Sequence, residues 1–282
     1  MRNFFEGWYF KQRGHDCAIA LIPALLSDKN GTSSSLQIVS NEETHNVIFS
    51  KEILQYKRNK PRIKLGKNLF SSDGVHVDVR TKDVELFGNL HFGPFLSPRY
   101  DIMGPFRYIP FMECRHSIFS MSHTVCGELT LNGKKMDFDG GNGYIEGDRG
   151  HSFPSRYLWT QCGFDNGSLM LSVADIPFLG RYFTGVIGII ITGGREYRLA
   201  TYLGVSVSFV GKGIAVVRQG KYTLMVKLIT DTCKLLAAPV QGSMSRLIRE
   251  SLSCSAYYFF SKDNEILLDF VSEHASFESE YT

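Results

Sequence analysis

The stretch "SLMLSVADI" (168–176), "YFTGVIGIIIT" (182–192), "EYRLATYLGVSVSFV" (196–210), "GIAVVR" (213–218) and "KYTLMVKLI" (221–229) decides the fold class. Short apolar runs with many β-branched residues follow one another. Gly193-Gly194, Gly211-Lys-Gly213 and Gln219-Gly220 separate the later members. Strands of this length joined by glycine turns form an antiparallel meander. Curling the meander into a barrel or half-barrel hides its edges.

The same pattern runs upstream. In "VHVDVR" (75–80), Val75, Val77 and Val79 alternate with His76, Asp78 and Arg80. "VELFGNLHF" (84–92) puts Val84, Leu86, Leu90 and Phe92 on one face, so the two runs read as a hairpin. "TVCGELTLNGKKMDF" (124–138) reads as another, with Asn132-Gly133 supplying the positive-φ residues of a tight turn. One helix is expected near the C-terminus. "SMSRLIRESL" (243–252) sets Met244, Leu247, Ile248 and Ser251 on a stripe, with Ser243 or Ser245 as cap. The proline- and aromatic-rich 91–116 reads as an irregular linker or cover. The expected fold is therefore all-β with one short helix, in two similar halves, 1–135 and 136–282.

Composition narrows the function classes. The 282 residues are 43% apolar and 21% charged, which suits a folded globular chain rather than a disordered one. A net charge of +3 is too small for a nucleic-acid surface. The N-terminus lacks the apolar run of a signal peptide, and "GVIGIII" (185–191) is too short to span a bilayer. Cys17, Cys114, Cys126, Cys162, Cys233 and Cys254 are scattered without a C-x-x-C pair. They read as reduced thiols, and the expected location is cytoplasmic. P-loop, G-x-G-x-x-G and G-x-S-x-G patterns are absent.

Three stretches can carry chemistry. In "YIEGDRGHSFPSRYLWTQ" (144–161), Glu146, Asp148, Arg149 and His151 crowd around Gly147 and Gly150. A bent strand end can aim Glu146 and Asp148 inward, where apolar walls keep a carboxyl protonated. Arg149 or His151 can orient an anionic or phenolic group. Tyr157, Trp159 and Gln161 then share a strand face that suits a pocket lining. A solvated turn leading into a core strand is the simpler reading of these residues taken alone. In "FFEGWYFKQ" (4–12), Trp8 and Phe10 face one side and Tyr9 and Lys11 the other, as in a first core strand. In "FMECRHSIFSMSH" (111–123), Glu113 and Arg115 alternate with Cys114 and His116, either as an ion-pair ladder or as a buried acid and base. His116 and His123 lack zinc-site spacing, so no metal is expected.

Taken together, "FEGWYFK" (5–11), "GYIEGDRGHSFPSRYLWTQCGF" (143–164) and "LMLSVADIPFLGRYFTGVIG" (169–188) resemble the tocopherol cyclase-like family. The resemblance implies lipocalin-like β halves and a cofactor-independent enzyme. In that chemistry a protein acid protonates a prenyl double bond and the phenol oxygen attacks the tertiary cation. Aromatic faces stabilise the cation by ~0.5–2 kcal/mol each. By the same resemblance Asp148 is the proton donor and Glu146 its partner. Trp8, Tyr9, Glu113, Arg115, His116, Arg149, His151, Tyr157, Trp159 and Gln161 are candidates for holding the substrate. The family pattern has Trp where Arg149 stands. A guanidinium beside Asp148 would hold the carboxylate ionised and suit an anionic head group.

Two functions from different classes are thus expected. One is acid-catalysed cyclisation of a prenylated phenol or quinol, or of a related hydrophobic isoprenoid. The other is non-catalytic lipid or isoprenoid binding, with Asp148 a plain ion-pair partner of Arg149. A β protein without a small-molecule site is the bland third. The expected partner is a hydrophobic small molecule, with no nucleic acid, and the apolar 91–113 can touch a membrane surface transiently.

Overall fold

The computed structural model describes residues 3–29, 31–49, 54–57, 61–109, 112–178, 180–230, 234–240 and 243–281. Cys233 lies outside them. The chain is all-β and divides into two compact units. The first comprises Met1–Pro98, His116–His151 and Pro239–Met244; the second comprises Arg99–Arg115, Ser152–Ala238 and Ser245–Thr282.

The first sheet contains β1 (Phe4–Arg13), β2 (Ala18–Asp28), β3 (Gly31–Ser40), β4 (Thr44–Phe49), β5 (Gln55–Lys57), β6 (Arg62–Leu65), β7 (Asn68–Ser71), β8 (Gly74–Arg80), β9 (Glu85–Phe92), β10 (Cys114–Leu131), β11 (Lys134–Asp137) and β12 (Gly141–Gly150). Its order is β4-β3-β2-β1-β12-β10-β9-β8-β7-β6-β5, with β11 pairing β10 off that path. Alternation chooses the inner face. Trp8, Phe10, Leu21, Ile38, Val77, Leu86, Val125, Leu129 and Ile145 come from strands spread across the sheet yet meet in one core. A sheet that encloses residues from both of its ends has to curl. The Leu54 N–H, just before β5, donates to Ser34 Oγ on β3, drawing the two ends of the sheet together.

The second sheet contains β13 (Tyr157–Phe164), β14 (Gly167–Phe178), β15 (Arg181–Thr192), β16 (Arg195–Ala200), β17 (Ser206–Gly211), β18 (Ile214–Gln219), β19 (Tyr222–Leu228), β20 (Lys234–Val240), β21 (Ser243–Lys262) and β22 (Glu265–Ser279). Its order is β16-β15-β14-β13-β22-β21-β19-β18-β17, with β20 pairing β21. Its core gathers Leu158, Leu171, Ile190, Val217, Val226, Tyr258 and Phe277.

Several expectations hold at residue level. β8 and β9 form the anticipated hairpin. Asn132 and Gly133 take φ 50° and 82° between β10 and β11, as a type I′ turn demands. Two expectations fail. The segment 243–252 is not helical, because it begins the long strand β21, paired with β22. Ile248 and Leu252 are buried while Leu247 is exposed. Tertiary pairing therefore overrides a helical reading that rested on a few apolar spacings. The boundary at 135/136 also moves, since β12 pairs with β1 in register from Phe5↔Gly150 to Arg13↔Asn142. Residues 141–150 thus complete the first sheet.

The apolar stretch 99–109 belongs to the second unit and packs there. The Arg198 guanidinium donates to the carbonyls of Tyr100 (2.6 Å) and Asp101 (3.2 Å) and lies 3.4 Å from the Tyr100 ring centroid. The Arg99 N–H donates to Glu196 (2.9 Å). Gly104–Tyr108 is a single 3-10 turn. Among the described residues no helix is long and apolar enough to cross a membrane. Cys17, Cys114, Cys126, Cys162 and Cys254 are free thiols.

Candidate active site

β12 runs through the middle of the first sheet, between β1 and β10. Its residues alternate faces. Ile145 points into the core, so Tyr144, Glu146 and Asp148 share the opposite face. That face is also buried: Glu146 is only 6% exposed, and Tyr9 and Lys11 on β1 are buried opposite Glu146 and Tyr144.

β10 contributes His116 to this face. The ring nitrogens meet two different carboxylates. Nδ1 lies 2.9 Å from Asp148 Oδ1, and Nε2 lies 3.1 Å from Glu146 Oε2. The first contact is a hydrogen bond; the second is an ion-pair approach without hydrogen-bond alignment. The Tyr144 hydroxyl donates to Glu146 Oε2 at 2.5 Å. Burial works against a charged His116, but the two carboxylates outweigh it and raise its pKa well above the usual histidine value. Burial, together with the Glu146 charge and its hydrogen bond, pushes Tyr144 well above the usual phenol range. The arrangement is a buried imidazolium held between two acids, with a phenol fixing one of them. It can store a proton where little water reaches.

The same three residues are the described group whose ligand atoms all approach within 4.8 Å of one another. By type they could take a divalent cation. Each ring nitrogen already faces a carboxylate oxygen at hydrogen-bonding distance, however, so a proton is the cation that fits this spacing best.

The other candidates are distributed as follows. Asp148 and Arg149 are adjacent on β12 and project to opposite faces, so the expected side-by-side pairing gives way to the His116–Asp148 contact. Trp8 faces the inner core, 5.0 Å from the Tyr56 ring, and is not with the acids. Tyr9 pairs with Glu146 and lies on the acid face. Arg115 donates to the Ile109 carbonyl (2.9 Å), and the Glu113 carbonyl accepts from the Ser152 N–H (3.4 Å). His151 Nδ1 lies 2.7 Å from the Asn3 carbonyl, tying the end of β12 to the chain start.

In the second unit Tyr157, Trp159 and Gln161 share a face, as expected, but it is the face turned away from that unit's core; Leu158 and Cys162 face inward. Tyr157 donates to Glu278 Oε2 (2.5 Å), and its pKa is raised well above the phenol range by burial and by Glu278. Tyr144 and Glu278 were not singled out from sequence. For Tyr144 the signal was present, since Tyr144, Glu146 and Asp148 recur at period two.

No family model matches the chain, and no curated protein matches it by sequence. Solved structures do match by fold. CghA aligns with TM-score 0.65 at 10% identity, over 99% of this chain and 89% of that one. The structure of CghA with Sch210972 gives 0.63 at 9% identity over the same shares. Kievitone hydratase from Nectria haematococca gives 0.56 at 10%, over 99% and 89%. A putative AttH from Nitrosomonas europaea gives 0.54 at 10%, over 100% and 93%. At these identities the likeness is one of fold: all-β and antiparallel, with a half-barrel, lipocalin-like.

Proposed function

We propose that this protein is a cofactor-independent enzyme that transfers a proton to a hydrophobic substrate, with acid-catalysed cyclisation of a prenylated phenol or quinol, or of a related isoprenoid, as the reaction. The observation that carries the reading is His116 held between Glu146 and Asp148 on a buried sheet face. Fold likeness to kievitone hydratase over 99% of this chain supports an enzyme over a bare scaffold, and the tocopherol cyclase-like motif supplies the substrate class.

Asp148 is the more exposed of the two carboxylates, its side chain 20% exposed against 8% for Glu146. In the proposed step the Nδ1 proton of His116 passes to Asp148 Oδ1, and Asp148 delivers it to the prenyl double bond. The phenol oxygen attacks the tertiary cation, and its own proton returns through Asp148 to His116 Nδ1, restoring the starting state. Atoms are conserved and the reaction is an isomerisation. Glu146, gripped by Tyr144, is a positioning residue that keeps His116 charged.

The test follows an open-chain prenylated hydroquinone by chromatography as it becomes the cyclic ether. Asp148→Asn is expected to lower turnover by ~10²–10⁴-fold, the usual worth of a general acid. Unchanged turnover in that variant removes Asp148 as donor. One observation favours the second reading, a non-catalytic isoprenoid or lipid binder: His116, Glu146 and Tyr144 engage one another, as a purely structural ion-pair network would. Stoichiometric uptake of the quinol without cyclisation would establish that reading instead.

A further inference from the structure

The hairpin β14–β15 outruns its neighbours. β13 pairs with β14 only as far as Tyr157↔Ala174, with one further bond from the Asp175 N–H to the Arg156 carbonyl. β16 pairs with β15 only as far as Ala200↔Ile187. β14 and β15 nevertheless stay paired through Ile176↔Phe183, Pro177↔Tyr182 and Phe178↔Arg181. Residues 176–178 and 181–183 therefore form a two-stranded ribbon beyond the sheet. Such a ribbon buries little of itself, so a water-facing tip is normally polar. Hairpins elsewhere in this sheet obey that rule. β13–β14 turns at Asp165-Asn166, β15–β16 at Gly193-Gly194, β17–β18 at Lys212-Gly213, β18–β19 at Gly220-Lys221 and β21–β22 at Asp263-Asn264. The β14–β15 end instead reads "IPFLGRYF" (176–183).

These apolar groups face water. Tyr182 is 69% exposed and Phe183 38%, and Pro177 is exposed opposite Tyr182. Alternation puts Ile176 and Phe183 on one face of the ribbon and Pro177 and Tyr182 on the other. A groove on a partner protein would cover one face and leave the other wet, whereas a bilayer surrounds a tip from both sides at once. Charge points the same way. Arg181, the only charged residue from 176 to 183, is exposed at the end of the ribbon. The first carboxylate, Asp175, lies at the base, where it accepts from the Thr184 and Tyr281 hydroxyls (3.0 and 2.9 Å) and faces Arg156 at 3.5 Å. The ribbon thus presents aromatic rings and a cation without an anion, the composition of an interfacial anchor. Its length agrees. Three paired residues per strand span about 10 Å, and interfacial elements enter the headgroup boundary by ~5–10 Å. The unpaired backbone groups on the outer edges of the ribbon keep it from going deeper into hydrocarbon.

We propose that the β14–β15 hairpin tip docks the protein on an anionic phospholipid bilayer, with Tyr182 and Phe183 at the acyl boundary and Arg181 on the lipid phosphates. The aromatic stretch 99–109 takes no part, because Arg198 and Glu196 hold it against β16. An anchor of this kind suits a protein that collects a hydrophobic molecule from a membrane. It does not depend on the proton-transfer reading, since none of its residues belongs to the acid site.

The test is co-sedimentation of the whole protein with vesicles of phosphatidylcholine, alone or mixed with phosphatidylserine. The parent is expected to bind the mixed vesicles. Tyr182→Ser combined with Phe183→Ser should weaken that binding at least ~10-fold. Arg181→Gln should weaken it ~5-fold and leave phosphatidylcholine vesicles unaffected. Tyr108→Ser, at an exposed ring of the 99–109 stretch, should change nothing, and neither should Asp148→Asn. The substituted tip side chains are exposed, so these variants should unfold in urea as the parent does. Tyr182→Trp reports the contact directly. Trp8 and Trp159 are both buried, so a blue shift of emission on adding vesicles comes from the new indole. No binding by the parent, binding unchanged in the double variant, an equal loss in Tyr108→Ser, or no blue shift in vesicle-bound Tyr182→Trp would each overturn the proposal. Self-association of the parent that the double variant abolishes, without vesicle binding, would assign the tip to a second copy of the chain instead.

Discussion

His116 and His123 sit seven residues apart on β10, both buried, and they reach opposite charge states. Burial alone disfavours the imidazolium at both positions. At His123 nothing opposes that cost, because the neighbours are Phe92, Phe95, Gln12 and the Ser120 hydroxyl. At His116 two carboxylates do oppose it, and their attraction wins. One strand thus presents a charged histidine on one face and a neutral one on the other. What differs is the residues that β12 contributes to each face: Glu146 and Asp148 on one, Gly143 and Ile145 on the other. Period-two alternation, the simplest property of a strand, has separated two kinds of chemistry by the thickness of a sheet.

The largest effect that can break this comparison is removal of the charged member. His116→Asn leaves Glu146 and Asp148 facing each other without a cation. Removing one partner of a buried ion pair costs about 3–5 kcal/mol, so a loss of that size is expected in urea unfolding at neutral pH. A loss below ~1 kcal/mol would mean that the two carboxylates relax into water and that the face is not truly sealed.

Next in size is the pH dependence, which has opposite sign at the two histidines. The folded pKa of His116 is raised above the unfolded value. Its stabilisation is therefore fully present below about pH 6.5 and is lost as pH rises through the folded pKa. The folded pKa of His123 is lowered to about 3. Its neutral form costs nothing above about pH 6.5, but stability falls as pH drops from there towards 3, by about 2 kcal/mol at pH 5. Stability of the parent relative to His123→Phe should therefore fall on the acid side. Relative to His116→Asn it should fall on the alkaline side. Two slopes of the same sign would refute the assignment of charge.

How far the sequence reveals this division depends on the residue. The hairpins were legible because alternation and the Asn132-Gly133 turn are local signals. Glu146, Asp148 and His116 were legible as candidates because carboxylates and histidines among apolar residues stand out. Their mutual geometry was not, because His116 reaches Asp148 only through the pairing of β10 with β12, and nothing local fixes that pairing. The Arg149 pairing misled for the reverse reason: neighbours in sequence are on opposite faces of a strand. Trp8 and Trp159 were both candidates for holding the substrate, yet Trp8 enters its core and Trp159 turns away from the other. The C-terminal helix failed because β21 gains its stability from β19, β20 and β22, none of which a helical stripe can sense.

A smaller effect compares the two units. Each buries a tyrosine whose hydroxyl donates to a glutamate, Tyr144 to Glu146 and Tyr157 to Glu278. Tyr144→Phe and Tyr157→Phe should each cost about 1.5–3 kcal/mol, the usual worth of a hydrogen bond to a charged acceptor. Only Tyr144→Phe should also change the alkaline limb assigned to His116, because Tyr144 holds Glu146, one of the two carboxylates that face that imidazole. If Tyr157→Phe changes it as well, the alkaline limb is not specific to His116 and its assignment fails.

The smallest expected effect tests what keeps the two faces apart. Gly133 has φ 82°, and a Cβ there would meet no atom within 4 Å. Gly133→Ala therefore changes only the backbone preference and should cost about 1 kcal/mol. The turn pins Leu129 opposite Met136 and Leu131 opposite Lys134, and a slip of one residue would exchange the faces of the paired segment. The pairings of β10 with β9, from Val125↔Phe92 to Leu131↔Leu86, hold the same strand independently. The variant should accordingly lose a little stability while both histidine titrations stay where they are. A shift in either titration would show that the β10 register depends on this one turn, and that the separation of charged from neutral histidine is set by a local signal rather than by the sheet.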